Sequence, residues 1–182
     1  MEKKICPFGP FFRHERKAKN ISQWHIVHEM GNYLANIQRI EAGIQQPGVH
    51  LALRLISAIG VQPGDFMQKL ACELLHYLPQ NLSPIGHVQI SYEMPLLKEG
   101  QKSLFGLFLV QARLAGVVSQ TAMAKAANYN LRNINGVENG RQEPGIMTAL
   151  ALVMTTGVDV REFFNILHAC WLEQQASVQS VK

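Results

Sequence analysis

The side chains able to do chemistry are few and scattered. His25 and His28 stand three residues apart, close to the spacing of two metal ligands on one helix face, and His14 lies a short way upstream. A zinc site takes a third and usually a fourth ligand from Cys, His or a carboxylate, and nothing nearby completes this pair. His76 follows Cys72 by four residues and His168 precedes Cys170 by two, the ingredients of a thiol nucleophile and its base. Such a pair needs another group to orient the base and a donor-rich turn to receive an oxyanion. The neighbouring sequence supplies neither, so no catalytic residue, metal or cofactor is expected. Cys6, Cys72 and Cys170 are odd in number, widely spaced and free of any CxxC pair. They read as reduced, structural thiols and not as a disulfide framework.

The 182-residue chain is long enough for one sizeable core or two small ones. Hydrophobic residues make up 47% and charged residues 16%, an ordinary globular balance. No apolar run approaches the roughly 20 residues that span a bilayer, and the opening MEKKICPFGP lacks the apolar stretch of a secretory signal. A cytoplasmic protein without a membrane segment is the expectation. The net charge of +4 and pI near 9.1 suit a polyanionic partner. The charge is sparse, however. Residues 1–78 carry nine Lys and Arg against six Asp and Glu, and residues 79–182 carry eight against seven, giving +3 and +1.

The chain repeats itself. FGPFFRHERKAKNISQ realigns without a gap on FGLFLVQARLAGVVSQ, 97 residues later, and about 20 of 60 positions agree between segments 8–67 and 105–164. The shared residues include Phe8 and Phe105, Arg16 and Arg113, Ser22-Gln23 and Ser119-Gln120, and Asn36-Ile37 and Asn133-Ile134. They continue through Glu41 and Glu138, Gly43 and Gly140, Pro47-Gly48 and Pro144-Gly145, and Phe66 and Phe163.

Punctuation within each copy predicts short helices. Ser22 and Ser119 suit helix N-caps, Gly43 and Gly140 suit the left-handed residue that ends a helix, and Pro47 and Pro144 stop the next loop from continuing as one. VHLALRLISAIG and IMTALALVMTTG then place apolar residues at helical spacing and stop at glycine. Five helices follow, at roughly 8–18, 22–29, 33–41, 49–59 and 63–70, with counterparts 97 residues on. The domains expected are 1–75 and 104–175, joined by a linker over 76–103 whose one alternating stretch is HVQISYE. REFFNILHACWLEQQ carries an apolar stripe of Phe163, Phe164, Leu167, Cys170 and Trp171, read as a core or dimer-forming face. The last residues, ASVQSVK, are expected to fray.

SQWHIVHEMGNYLANIQRIEAG and SQTAMAKAANYNLRNINGVENG, with their flanks, resemble the phage repressor and Cro family of helix-turn-helix domains, also called the xenobiotic-response-element family. The likeness spans all five family helices in both copies, about two thirds of the chain. It implies an all-α protein of two tandem five-helix, lambda-repressor-like DNA-binding domains. It further implies a transcriptional regulator that reads double-stranded DNA with recognition helices 33–41 and 130–138.

Helical geometry says which side chains such helices would offer. Ile37 and Ile40 point inward, leaving Ala35, Gln38, Arg39 and Ala42 outside; Ile134 and Val137 do the same for Arg132, Asn135, Gly136 and Asn139. The resemblance places that outer face in the major groove, where arginine pairs with guanine and asparagine with adenine. It assigns Gln23 and Gln120 to phosphates at a helix N-terminus. Asn36 and Asn133 fall near backbone or base edge, and Arg141 in a phosphate-contacting loop. Arg16 with Glu41, and Arg113 with Glu138, are implied as structural ion pairs. The first copy, with Leu34 and Ala35 where repressors often carry polar readers, has the poorer face. Asn128 stands where Gly31 stands in the first copy, and Trp24 is expected to pack.

Two arrangements are open. One chain could place unlike domains on successive major grooves about 34 Å apart, or one copy could bind DNA while the apolar stripe forms a homodimer on a palindrome. The unpartnered stripe favours the homodimer. The rival class is an interaction protein that keeps the fold and binds another protein, which the sparse charge favours.

Overall fold

Two serines open matching helices. In the computed structural model, which describes residues 5–31, 34–74, 86–88, 90 and 103–179, Ser22 accepts from the His25 N–H at 3.0 Å and Ser119 from the Ala122 N–H at 3.1 Å. Each hydroxyl thereby satisfies one of the free amides of a first helical turn. The described residues form α1 (Phe8–Ala18), α2 (Gln23–Met30), α3 (Leu34–Glu41), α4 (Val49–Ala58) and α5 (Pro63–Leu74). They continue with α6 (Leu104–Ala115), α7 (Gln120–Ala126), α8 (Leu131–Glu138), α9 (Ile146–Thr155) and α10 (Val160–Gln179).

Among the described residues every regular element is a helix, so the protein is all-α. No single helix among them is long and apolar enough to cross a membrane. Most of the expected linker lies outside the described residues. Among the described residues of HVQISYE, Val88 forms an isolated bridge with Val158, and the His87 and Val88 amides both donate to the Gly157 carbonyl at 3.0 and 3.1 Å.

The helix ends follow the punctuation. Gly43 and Gly140 adopt φ of 69° and 67°, the left-handed conformation that lets the next amides turn back onto carbonyls of the last turn. Asn128 takes φ 48° where Gly31 takes 59°, the exchange that asparagine tolerates best. Two helices run longer than expected. α5 reaches Leu74, and α10 continues through Gln179 into the segment expected to fray. No Gly or Pro follows Cys170 to stop it.

The described chain forms two compact units. The first holds α1 to α4 together with residues 145–147. Within it α1 packs on α3, and α2 packs on both α3 and α4, around fully buried Phe8, Phe12, Ile26, Ile37 and Ile40. α1 approaches α3 closely because residue 9 is glycine: a Cβ there would sit 1.8 Å from the Ile40 carbonyl oxygen.

The second unit holds α5 to α10, apart from the first two residues of α9. α6 and α7 pack on α8, α10 packs on α6 and α5, and Phe105 meets Phe163 edge-on at 5.6 Å. The close helix approach recurs, since a Cβ on Gly106 would sit 1.6 Å from the Val137 carbonyl oxygen. By sequence α5 is the fifth helix of the first copy and falls inside the expected domain 1–75, yet it lies here against α10. The cause is burial. Phe66, Met67 and Leu70 are at most 1% exposed, and covering each is worth roughly 1.5–3 kcal/mol. The α10 stripe meets the same need, with Phe163 and Phe164 fully buried and Leu167 2% exposed. The helix that sequence leaves in want of a partner therefore has one within its own chain.

Two substitutions should move stability in opposite directions. Gly106→Ala forces α6 away from α8 and is expected to cost about 1–3 kcal/mol. Val117, a β-branched residue 90% exposed at φ 54°, occupies the place that Asn20 fills at φ 56° in the first copy. Val117→Asn should relieve about 1 kcal/mol of backbone strain, both shifts being read from urea unfolding midpoints.

Candidate nucleic-acid interface

One polar network is built twice. In the first unit the Arg16 guanidinium on α1 grips Glu41, the last residue of α3, with Nε donating to Oε1 at 2.6 Å and Nη2 to Oε2 at 3.0 Å. Its Nη1 donates to the Ile21 carbonyl in the turn before α2. Gln23, the first residue of α2, donates its amide to Glu41 Oε2 at 2.7 Å. In the second unit Arg113 donates to Glu138 at 2.5 and 3.0 Å and to the Val118 carbonyl at 3.0 Å, while Gln120 donates to Glu138 Oε2 at 2.6 Å.

The carboxylates are 3% and 5% exposed. A buried ion is tolerable only where partners replace its hydration, and each carboxylate here receives three donors. The ion pairs implied by the resemblance thus form, and each clamps three helices at one point. The glutamines implied as phosphate holders are anchored by the same carboxylates. Each is half-buried, with one amide N–H engaged and the rest of the head group at the N-terminal end of its helix.

The clamp fixes which face of α3 and α8 points outward. On α3, Ile37 and Ile40 are buried while Ala35, Gln38 and Arg39 are exposed, and Asn36 is half-buried. On α8, Ile134 and Val137 are buried, Arg132 and Asn135 are exposed, and Asn133 is half-buried. Arg141 is exposed in the turn just after α8, its N–H bonded to the Gly136 carbonyl at 3.0 Å. Every singled-out residue therefore lies on α2, α3, α7, α8 or the turn after α8. Gln23, Asn36, Gln38 and Arg39 belong to the first unit, and Gln120, Arg132, Asn133, Asn135 and Arg141 to the second.

Two asparagines shape the α8 face, Asn139 on the outer side that helical spacing already marks and Asn130 just before the helix. Asn130 caps α8, its Oδ1 accepting from the Arg132 N–H at 2.8 Å, and so fixes the backbone that carries Arg132. Asparagine just before an apolar-periodic run is the cap signature. Asn139 donates its Nδ2 to both the carbonyl and the Oδ1 of Asn135, at 2.8 and 2.9 Å, orienting that amide so that its own NH2 projects away from the pair. Gly136 gives this face a shallow spot, bordered by the Gln142 side chain.

The α3 side differs in chemistry. Trp24, expected to pack, is instead 67% exposed in the first turn of α2, and Ile44 is 63% exposed where the second copy has Arg141. The first unit thus offers two apolar side chains where the second copy has Thr121 and Arg141.

The remaining reactive groups stand apart. Among the described residues no three His, Cys, Asp or Glu side chains converge as metal ligands. Burial pushes the Cys6 thiol up, and burial with the Glu173 charge does the same to Cys170, so both favour the protonated, weakly nucleophilic form. Burial also lowers the pKa of His168. His76 lies outside the described residues. No protein-family model matches the chain, and neither any curated protein nor any solved structure matches it.

Glu41→Ala strands a buried guanidinium and should cost about 3–5 kcal/mol of stability. Arg132→Ala, on an exposed face, should stay within about 0.5 kcal/mol. Thermal unfolding of the two variants beside the parent checks the contrast.

Proposed function

We propose that the protein is a sequence-specific double-stranded DNA-binding transcriptional regulator, made of two tandem five-helix copies of the repressor and Cro type, with α3 and α8 as recognition helices. The duplicated Arg–Gln–Glu clamp carries this reading. It holds the end of each proposed recognition helix to the start of the helix before it, and leaves Gln38 with Arg39, and Arg132 with Asn135, at the exposed face. Arg132 has the reach and fork geometry for guanine O6 and N7, and Asn135 for adenine N6 and N7. Gln23, Gln120 and Arg141 suit phosphates, with Asn36 and Asn133 beside them; these contacts set register.

A second reading, a protein-binding module on the same helices, draws on the exposed Trp24 and Ile44. Exposed apolar groups suit protein partners better than phosphates. Under it, DNA affinity would be weak and indifferent to base sequence.

Selection from a random duplex library separates the two. The DNA reading expects an enriched site, affinity falling with salt at a log–log slope of about −0.9 per phosphate contact, and a loss of about 1–3 kcal/mol in Arg132→Ala confined to one base position. Arg39→Ala should weaken binding without erasing that position. No enrichment, with binding insensitive to both substitutions, would sink the DNA reading and leave the protein-binding one.

A further inference from the structure

Equivalent residues of the two copies meet each other. In the first unit Gly48 pairs with Gly145 in an antiparallel bridge, and the Pro47 carbonyl accepts from the Ile146 N–H at 2.9 Å. Gly48 and Gly145 stand at one position of the repeat. In the second unit α5 lies on α10, the equivalent helix. There Gly64 approaches its own counterpart, since a Cβ on it would sit 2.1 Å from the Arg161 carbonyl oxygen. The Gly64 amide donates to Asn165 Oδ1 at 2.8 Å, and Arg161 Nε pairs with Asp65 at 2.7 Å.

A residue that meets its own equivalent is the mark of an isologous contact, the kind two identical chains make across a two-fold axis. Here the contact is made twice, in separate places, inside one chain. Phe66, Met67 and Leu70 of α5 and Phe163, Phe164 and Leu167 of α10 are buried within the same chain and so closed to a second one.

We infer that a single chain does the work of a repressor dimer: it binds, as a monomer, a duplex with two half-sites of different sequence. The inference rests on the DNA-binding reading and adds stoichiometry and site asymmetry to it. Asymmetry follows from the outward residues, because a symmetric site would need like readers at like positions. The second copy puts Arg132, Asn135 and Arg141 where the first puts Ala35, Gln38 and Ile44.

The test uses the full chain and the duplex enriched from the random library. Light scattering should give one 20.4 kDa chain free in solution, and one chain per duplex in the complex. Arg132→Ala should weaken binding about 5- to 150-fold and release base preference in one half of the site only. Gln38→Ala should release preference in the other half only. A dimer in solution, two chains per duplex, or an Arg132→Ala variant that relaxes both halves alike would overturn the inference while leaving DNA reading intact. Failure to enrich any duplex would overturn both.

Discussion

A buried carboxylate that receives three donors is the constraint on which the rest of each copy depends. Glu41 and Glu138 close α3 and α8, and neither can remain charged inside the protein unless an arginine from the first helix of the copy and a glutamine from the second come within hydrogen-bond reach. Satisfying the charge therefore fixes three helix ends at once, which apolar packing alone does not do. Hydrophobic contact is non-directional and tolerates sliding; a bidentate guanidinium–carboxylate pair does not. The outward set of α3 and α8 is thus decided by one polar contact behind the helix, not by anything on the exposed face.

The glycine contacts serve the same geometry by another route. Gly9 and Gly106 bring the first helix of each copy almost onto the carbonyl of Ile40 or Val137, one residue before the clamped glutamate. Close backbone approach and ion pair reinforce each other at adjacent positions. This explains why glycine, arginine and glutamate recur together in both copies while the residues between them have diverged.

Much of this was legible because the decisive signals are local or duplicated. Ser22 and Ser119 as caps, Gly43 and Gly140 as left-handed ends, and the inward isoleucines of α3 all act within a few residues of themselves. The repeat states each of these signals a second time. The partner of α5 was not legible. A stripe such as Phe66, Met67 and Leu70 states that it will be buried, but not against what, and Phe163, Phe164 and Leu167 read as either a core or a dimer-forming face for the same reason. Trp24 went the other way: its size argued for packing, yet its place in the first turn of α2 leaves it outside the core. The Asn135–Asn139 fork depends on side-chain rotamers, which spacing alone does not specify.

The pairing of α5 with α10 has a consequence for how this chain responds to its own abundance. Two subunits held by equilibrium come apart on dilution, whereas helices tethered in one polypeptide meet at an effective concentration set by the tether and independent of expression level. Their association carries no threshold, and a change at Phe66 is not mirrored at Phe163 as it would be in a pair of identical subunits. Each copy of the repeat is free to diverge under its own selection while the α5–α10 contact is kept.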